Sequence, residues 1–477
     1  MVKLQVFFFP LMAHGHMIPI LDMAKLFASR GVHSTIITTP LNAPAFAKGV
    51  QRSNDLGSQM SVKILEFPKI DGLLENCENA DQIANPAMLP IFFAATKLLK
   101  DQLEQLLKEH RPNCLVADIS FPWATDSAAK FDIPRLVFHG SSFFASCAGE
   151  QVRLHRPFQN LKSDSDEFFV PNFPHKVKLC LSQIPPYVRS EETDFAKTII
   201  EARESELRSY GVIVNSFYEL EPEYADHYRN VLNRKAWHIG PLSLCNRSLE
   251  EKAHRGKQAA ISEDDCLKWL DSKSPNSVLY VCFGSINKFP SKQLHEIAMG
   301  LEASGQQFIW VVRKGTNDKE AEDWMPEGFD ERMTGKGLII RGWAPQVMIL
   351  DHGAIGGFVT HCGWNSTLEG IAAGVPMVTW PSFAEQFYNE KLITDVLRIG
   401  VAVGAKEWVI GTGGGNIKSD AVETAVRSII SGEEAEERRK RCKGLKEMAR
   451  KAVEEGGSSY SDLNALIQEL SLYPSSS

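Results

Sequence analysis

The run QVFFF at Gln5–Phe9 sets four apolar residues in succession, and a strand of that composition has no face to give to water. It fits a sheet covered on both sides, as parallel sheets are. An amphipathic helical pattern follows from Ile18 to Arg30, and a second apolar run from Ser34 to Thr38. Together these form the βαβ rhythm of a parallel sheet. The rhythm continues through a helix near Leu89–His110, a strand at Cys114–Ala117, a helix near Trp123–Phe131 and a strand at Arg135–Phe138. Val212–Asn215 and Trp237–Gly240 read as further strands.

The stretch SLCNRSLEEKAHRGKQAAIS then breaks the pattern, being polar and without period, and reads as a domain linker. A second α/β series begins beyond it. Helices are expected at Glu263–Leu270, Pro290–Ala303 and Ser366–Ala373, with strands at Ser277–Phe283, Phe308–Val312, Leu338–Arg341, Gly357–Thr360 and Met377–Trp380. A chain of 477 residues, 43% of them hydrophobic, exceeds one ordinary core. The expectation is an α/β protein of two doubly wound domains, residues 1–242 and 263–455, joined by a linker at 243–262. A helix within 456–477 is expected to pack back on the first domain. Ligands are expected in a cleft between the domains, at the carboxyl ends of parallel strands.

The formal net charge of −7 offers no cationic field for nucleic acid or anionic lipid. Nine cysteines are scattered without a CxxC pair, which reads as free thiols in a reducing compartment, hence a cytoplasmic protein. The apolar amino terminus lacks a small-residue cleavage site, and no run elsewhere is long enough to span a bilayer. The protein is expected to be a monomer. EEAEERRKRCKGLKEMARKAVEEGG, with opposite charges three and four residues apart, reads as a solvated helix. GTGGGN at Gly411–Asn416 has the composition of a phosphate loop but no buried strand feeding it, and reads as a turn.

Chemistry concentrates in HCGWNSTLEG, His361–Gly370. The preceding GGFVT is a buried strand and the following STLEGIAAG opens a helix, so the polar residues sit at a helix amino terminus. Such a terminus binds anions. A competing reading uses the S-x-x-E spacing of Ser366 and Glu369 as a capping box that only satisfies the first turn. In SVLYVCFGSINKFPSKQL, Gly284 and Ser285 occupy a corresponding strand end. Two such loops in one domain suit a diphosphate.

The segment WAPQVMILDHGAIGGFVTHCGWNSTLEGIAAGVPMVTWPSFAEQ, Trp343–Gln386, resembles the signature of plant UDP-dependent small-molecule glycosyltransferases, the family-1 enzymes of GT-B fold. HGHMIP, LVADISFPWA, FGS and the closing helix after EEGGSSYSDLNAL extend the resemblance to nearly the whole chain. It implies that Trp343 stacks on uracil, with Ala344 and Gln346 on the base and ribose side. His361, Gly363, Asn365 and Ser366, with Ser285, would hold the diphosphate, and Glu369 the ribose hydroxyls. Trp364, Glu385 and Gln386 would meet the sugar. Many relatives have Asp where this chain has Glu385. Gln386 favours glucose over galactose, and Trp364 argues against a glucuronyl donor. Cys362 reads as a small buried filler.

His14 and His16 follow the first strand, and Asp118 follows another, both at places where parallel sheets carry active sites. The family pattern matching GHMIP assigns the general base to His16, with Asp118 fixing its tautomer. His14 is read as structural. A metal reading of the His-x-His pair lacks a third clustered ligand. The DxD at Asp164–Asp166 lacks a strand ahead of it and is read as a polar loop, so no metal or other cofactor is expected. Phe121, Trp123, Phe143 and Phe144 are candidate walls for an apolar hydroxylated acceptor such as a flavonoid, another phenolic or a triterpenoid. The implied function is an inverting hexosyltransferase using a UDP-sugar. A nucleotide-sugar-binding protein without turnover, or a UDP-sugar epimerase or hydrolase, are the alternatives.

Overall fold

A computed structural model of the chain describes residues 4–83, 85–190, 192–313, 324–410 and 417–474. It comprises two compact units. Met1–Phe143, Pro186–Cys245 and Lys451–Ser477 form the first, and Phe144–Pro185 with Asn246–Arg450 the second. Residues 144–185, placed within 1–242 on sequence grounds, thus group with the second unit. Gly411–Asn416 lie outside the described residues.

Along the chain the strands of the first unit are β1 (Gln5–Phe9), β2 (His33–Thr38), β3 (Met60–Ile64), β4 (Cys114–Asp118) and β5 (Arg135–Phe138). After a two-stranded antiparallel hairpin of the second unit, β6 (Glu167–Phe169) with β7 (Lys178–Cys180), come β8 (Gly211–Val214) and β9 (Ala236–His238). The sheet order is β3-β2-β1-β4-β5-β8-β9, all parallel. The apolar run of β1 is explained by two cores. Phe8 packs with Met23, Phe27, Val116 and Phe138 on one face, where Leu463, Leu466 and Leu470 of the closing helix Ser458–Leu472 join them. Phe7 and Phe9 pack on the other face with Leu103, Leu107, Leu115 and Phe121. Each buried phenylalanine contributes about 1.5–3 kcal/mol.

The second unit has β10 (Val278–Cys282), β11 (Gln307–Val312), β12 (Gly337–Arg341), β13 (Ile355–Thr360), β14 (Met377–Thr379) and β15 (Gly400–Ala402). Their order, β12-β11-β10-β13-β14-β15, is again wholly parallel. In both units the first strand is central and the order reverses beside it, between β1 and β4 and between β10 and β13. Such a reversal leaves a crevice at the carboxyl ends of the two strands.

Three readings of local structure change. The helix expected near Leu89–His110 is two helices, Leu89–Lys97 and Lys100–His110. At the break the amides of Leu98 and Leu99 bond the carbonyls three residues back, a tightening that keeps Leu99, Leu103 and Leu107 in one core. The first helix spans His14–Ser29 and so begins four residues before the apolar period does, because its opening turn is the polar HGH. β3 escaped the sequence reading because it is an edge strand, MSVKI, only partly buried. The charged run forms the helix Glu433–Val453, with Arg438 on Glu434 and Arg439 on Glu436, each at 2.6 Å. Among the described residues no helix is long and apolar enough to cross a membrane.

One buried acid gives the second unit a pH-dependent stability. Glu390, in the helix Gln386–Lys391, is 3% exposed and accepts a 2.7 Å hydrogen bond from Thr379 Oγ1. Burial pushes its carboxyl up to about 7 despite that bond. The folded value lies above the ordinary carboxylate range, so the stability tied to the neutral acid is complete below about pH 4 and drains as pH rises through 7. Glu390→Gln keeps a neutral isostere. Its melting temperature relative to the parent should therefore rise between pH 5 and pH 8, by up to a few kcal/mol of stability at about 1.4 kcal/mol per pH unit. A difference independent of pH would refute this assignment.

Candidate active site

At the reversal in the first unit, β1 delivers the chain into the helix His14–Ser29, and β4 ends at Asp118. His16 Nδ1 lies 2.6 Å from Asp118 Oδ2. The Asp118 side chain is fully enclosed, whereas that of His16 is 28% exposed. Asp118 Oδ1 accepts from the Ser120 amide at 2.9 Å, and its main-chain carbonyl from the buried guanidinium of Arg135 at 2.7 Å. Burial raises the Asp118 carboxyl, but His16 and the Ser120 amide outweigh it and hold the group below its ordinary value. An ionised carboxylate on Nδ1 keeps the proton there, leaving Nε2 with the lone pair a base requires. Gly140, with φ +68° beyond β5, borders the ring; a Cβ there would stand 3.8 Å from it.

His14 turns elsewhere. Its Nδ1 meets Asp81 at 2.5 Å, and the amide of Ala80 bonds the carbonyl of Met12. These contacts tie the short 3-10 turn Ala80–Gln82 to the start of the helix.

At the reversal in the second unit, Gly284 lies two residues beyond β10 and His361 one beyond β13. The two loops close on the His361 ring. A Cβ at Gly284, where φ is +75°, would fall 2.6 Å from the ring, and one at Gly363 2.5 Å from it. His361 Nδ1 has no hydrogen-bond partner among the described residues. Desolvation pushes the imidazole down to about 4, so it is neutral at physiological pH. The helix Trp364–Ala373 starts immediately beyond, with Gly363 at its N-cap and no side-chain cap. The capping-box reading of Ser366 and Glu369 is therefore overturned: Ser366 stands inside the first turn, three positions past the N-cap. Gln346 Nε2 instead joins the two, donating to Ser366 Oγ at 3.1 Å and to Glu369 Oε2 at 2.7 Å.

Cys362 adopts φ +63° and its carbonyl accepts from Asn389 Nδ2 at 2.8 Å. The same amide lies 3.2 Å from Glu385 Oε1. Gln386 spends its amide oxygen on the main chain of Ser382 and Phe383. Trp343, Ser285 and Asn365 are half-buried, and Ala344 is buried. Trp364 is 2% exposed, so its indole is part of the packing.

The family model described as UDP-glucoronosyl and UDP-glucosyl transferase matches residues 203–440. A scopoletin glucosyltransferase of Nicotiana tabacum is 57% identical over 100% of this chain and 99% of its own. An anthocyanin 3'-O-beta-glucosyltransferase of Gentiana triflora is 56% identical over 99% and 100%. The chain belongs to the plant family-1 UDP-glycosyltransferases. Among solved structures, Glycyrrhiza uralensis UGT73P12, complexed with glycyrrhetinic acid 3-O-monoglucuronide, superposes with TM-score 0.94 at 40% identity, covering 99% of this chain and 96% of that one. Medicago truncatula UGT71G1, complexed with UDP-glucose, superposes with TM-score 0.80 at 27% identity, covering 98% of each. The GT-B fold expected from the sequence is thus the fold of the enzyme.

In this glycosyltransferase the sequence-selected residues fall into two sets. His16 and Asp118 meet in the first unit; in the second, Gln346 meets Ser366 and Glu369, and Gly363 borders His361. The proposed acceptor walls sit in packing. Phe121 and Phe143 are fully enclosed, as is Phe144, and Trp123 is 7% exposed. Phe121 stacks on Phe9 at 4.4 Å, Phe143 meets Tyr228 edge-on at 5.2 Å, and Phe144 meets Phe173 at 5.2 Å. In the DxD motif, Asp166 accepts the amides of Lys162 and Ser163 and so folds its own turn. Among the described residues no group of three or more His, Cys, Asp or Glu could hold a metal ion.

Two residues were missed. Asn389 braces Cys362 and Glu385, and its signal was the i,i+4 spacing from Glu385. Arg255 contacts Glu369 at 2.5 Å from within the supposed linker, where only its charge stood out. Gly284→Ala tests the clamp around His361. It combines a 2.6 Å clash with a positive φ that costs a side chain about 1 kcal/mol. Calorimetry should show UDP binding weakened about tenfold or more, and a dissociation constant within twofold of the parent would contradict the packing described.

Proposed function

We propose that the enzyme transfers glucose from UDP-glucose to a hydroxyl of an apolar acceptor, with inversion at the anomeric carbon and without a metal. The observation that carries this reading is the His16–Asp118 pair, a partly exposed imidazole on a buried, ionised carboxylate at 2.6 Å. Nε2 of His16 takes the acceptor's hydroxyl proton as the oxygen bonds to the anomeric carbon. The bond from that carbon to the diphosphate oxygen breaks, its electron pair leaves with UDP, and Asp118 stabilises the imidazolium formed. Attack from the face opposite the leaving group inverts the configuration.

The departing charge needs donors, and the amino terminus of the helix Trp364–Ala373 supplies amides unoccupied by a side-chain cap. Neutral His361 and the Ser366 hydroxyl stand beside it. These groups take the part a divalent ion plays elsewhere. Glu369 and Gln346 would accept and orient ribose, Trp343 would stack on uracil, and Glu385 with Gln386 would read the sugar hydroxyls. Glucose as the donor is supported by Gln386 and by relatives named as glucosyltransferases of scopoletin and anthocyanin. Those names also support a phenolic acceptor, and the bound ligand of the Glycyrrhiza structure supports a triterpenoid one. Nine free cysteines fit a reducing, cytoplasmic setting.

His16→Ala should lower kcat by roughly 10² to 10⁴ while leaving UDP affinity intact; turnover at the parental rate would sink the mechanism. Incubation with UDP-glucose, UDP-galactose and UDP-glucuronate over one phenolic acceptor, in excess chelator, should give a product one hexose heavier, in the β configuration by NMR. A dominant galactoside, free glucose alone, or activity abolished by the chelator would each overturn part of the proposal.

A further inference from the structure

The segment expected to be a loose linker is built into the nucleotide side of the second unit. Ser248 and Glu251 form a reciprocal capping box on the short helix Leu249–Ala253. Lys252 Nζ, in that helix, holds Asp351 Oδ2 at 2.6 Å, and the same carboxylate faces Lys446 and Arg450. Further on, the amide of Ala260 bonds the carbonyl of Trp343 at 2.8 Å. The chain between these anchors carries Arg255 and Lys257 across the site. Lys257 Nζ lies 6.0 Å from the centre of the Trp343 ring. Arg255 Nη1 meets Glu369 Oε1 at 2.5 Å, with the two side chains 10% and 6% exposed.

A buried carboxylate needs a compensating cation, and one held on both oxygens has a fixed direction. Glu369 has Arg255 on Oε1 and Gln346 on Oε2. A carboxylate offers about four lone-pair sites, so two remain for hydroxyl donors. We propose that Arg255 is a positioning residue for the donor: it aims the Glu369 carboxylate at the ribose hydroxyls and thereby enforces selection of a ribonucleotide sugar over its 2′-deoxy counterpart. This rests on the reading of Glu369 as the ribose acceptor. The arginine acts through Glu369 on binding of the donor, so its loss raises KM for UDP-glucose and leaves the chemical step alone.

The test compares R255Q, R255M, R255K and E369Q with the parent, using UDP-glucose and 2′-deoxy-UDP-glucose against one acceptor. R255Q and R255M are measured side by side so that a folding defect in one does not decide the result. Each neutral variant should raise KM for UDP-glucose on the order of tenfold, the weight of one charge-assisted contact, with kcat within about twofold and the acceptor KM unchanged. The preference for UDP-glucose over the deoxy donor should fall toward that of E369Q, and R255K should recover part of it. An unchanged or lower KM in the neutral variants overturns the proposal, the lower value meaning that Arg255 competes with ribose for the carboxylate. If E369Q itself keeps the full ribose preference, the ribose reading of Glu369 fails and the role of Arg255 falls with it. If E369Q loses that preference while the neutral Arg255 variants keep it, only the role of Arg255 fails.

Discussion

Parallel pairing of β1 with β4, and of β10 with β13, is the constraint on which the rest of this enzyme depends. In each unit the chain lays down a central strand, builds outward on one side, then returns to pair on the other. Helices leaving the two central strands must diverge, and the strand ends between them stay uncovered. His16 and Asp118 occupy the first of these openings, and Gly284 and His361 the second. Neither pair is close in sequence. Register makes each of them: Phe9 lies beside Ala117, one residue before Asp118, and Cys282 lies beside Thr360, one residue before His361.

Such openings place polar groups against apolar cores, and the structure compensates them individually. Asp118 is enclosed yet ionised, because an imidazole and an amide face its two oxygens. Behind it Arg135, held at about 10 by burial, bonds the Asp118 carbonyl and the hydroxyls of Thr125 and Ser205. Rigidity follows from these bonds, since moving any member strands another. His361 is the opposite case. Its Nδ1 is buried and without a hydrogen-bond partner among the described residues, and two glycines leave room for its ring. An unsatisfied buried polar atom costs about 1–3 kcal/mol, and such a cost is common where a binding site is prepared.

The aromatic candidates show where sequence reasoning fails. Phe121, Phe143 and Phe144 follow strand ends, as acceptor-contacting residues would, but a position beyond a strand does not decide whether a side chain turns toward solvent or core. Each found an aromatic partner distant in sequence. The capping box failed for a related reason. Ser366 and Glu369 have the right spacing, but the helix begins two residues before Ser366, so the carboxylate was free to bond Gln346 and Arg255. Arg255 could not have been chosen from its neighbours, because a polar stretch without period reads the same whether it hangs loose or is anchored at both ends.

By itself the sequence determined the fold class, the parallel character of its sheets and the family. Apolar runs with no polar face demand covered parallel strands, and the stretch from Trp343 to Gln386 is long and specific enough to name a nucleotide-sugar site. It also singled out His16 and Asp118, the histidine through the family resemblance of GHMIP and the aspartate from its place at the end of a buried strand. Only the tertiary structure decided which side chains touch. The 2.6 Å contact of that pair, the enclosure of His361 by Gly284 and Gly363, and the seating of Arg255 on Glu369 depend on strand register and on helix starts placed to within a residue. Periodicity locates an element to within a few residues; a hydrogen bond is made or lost within one.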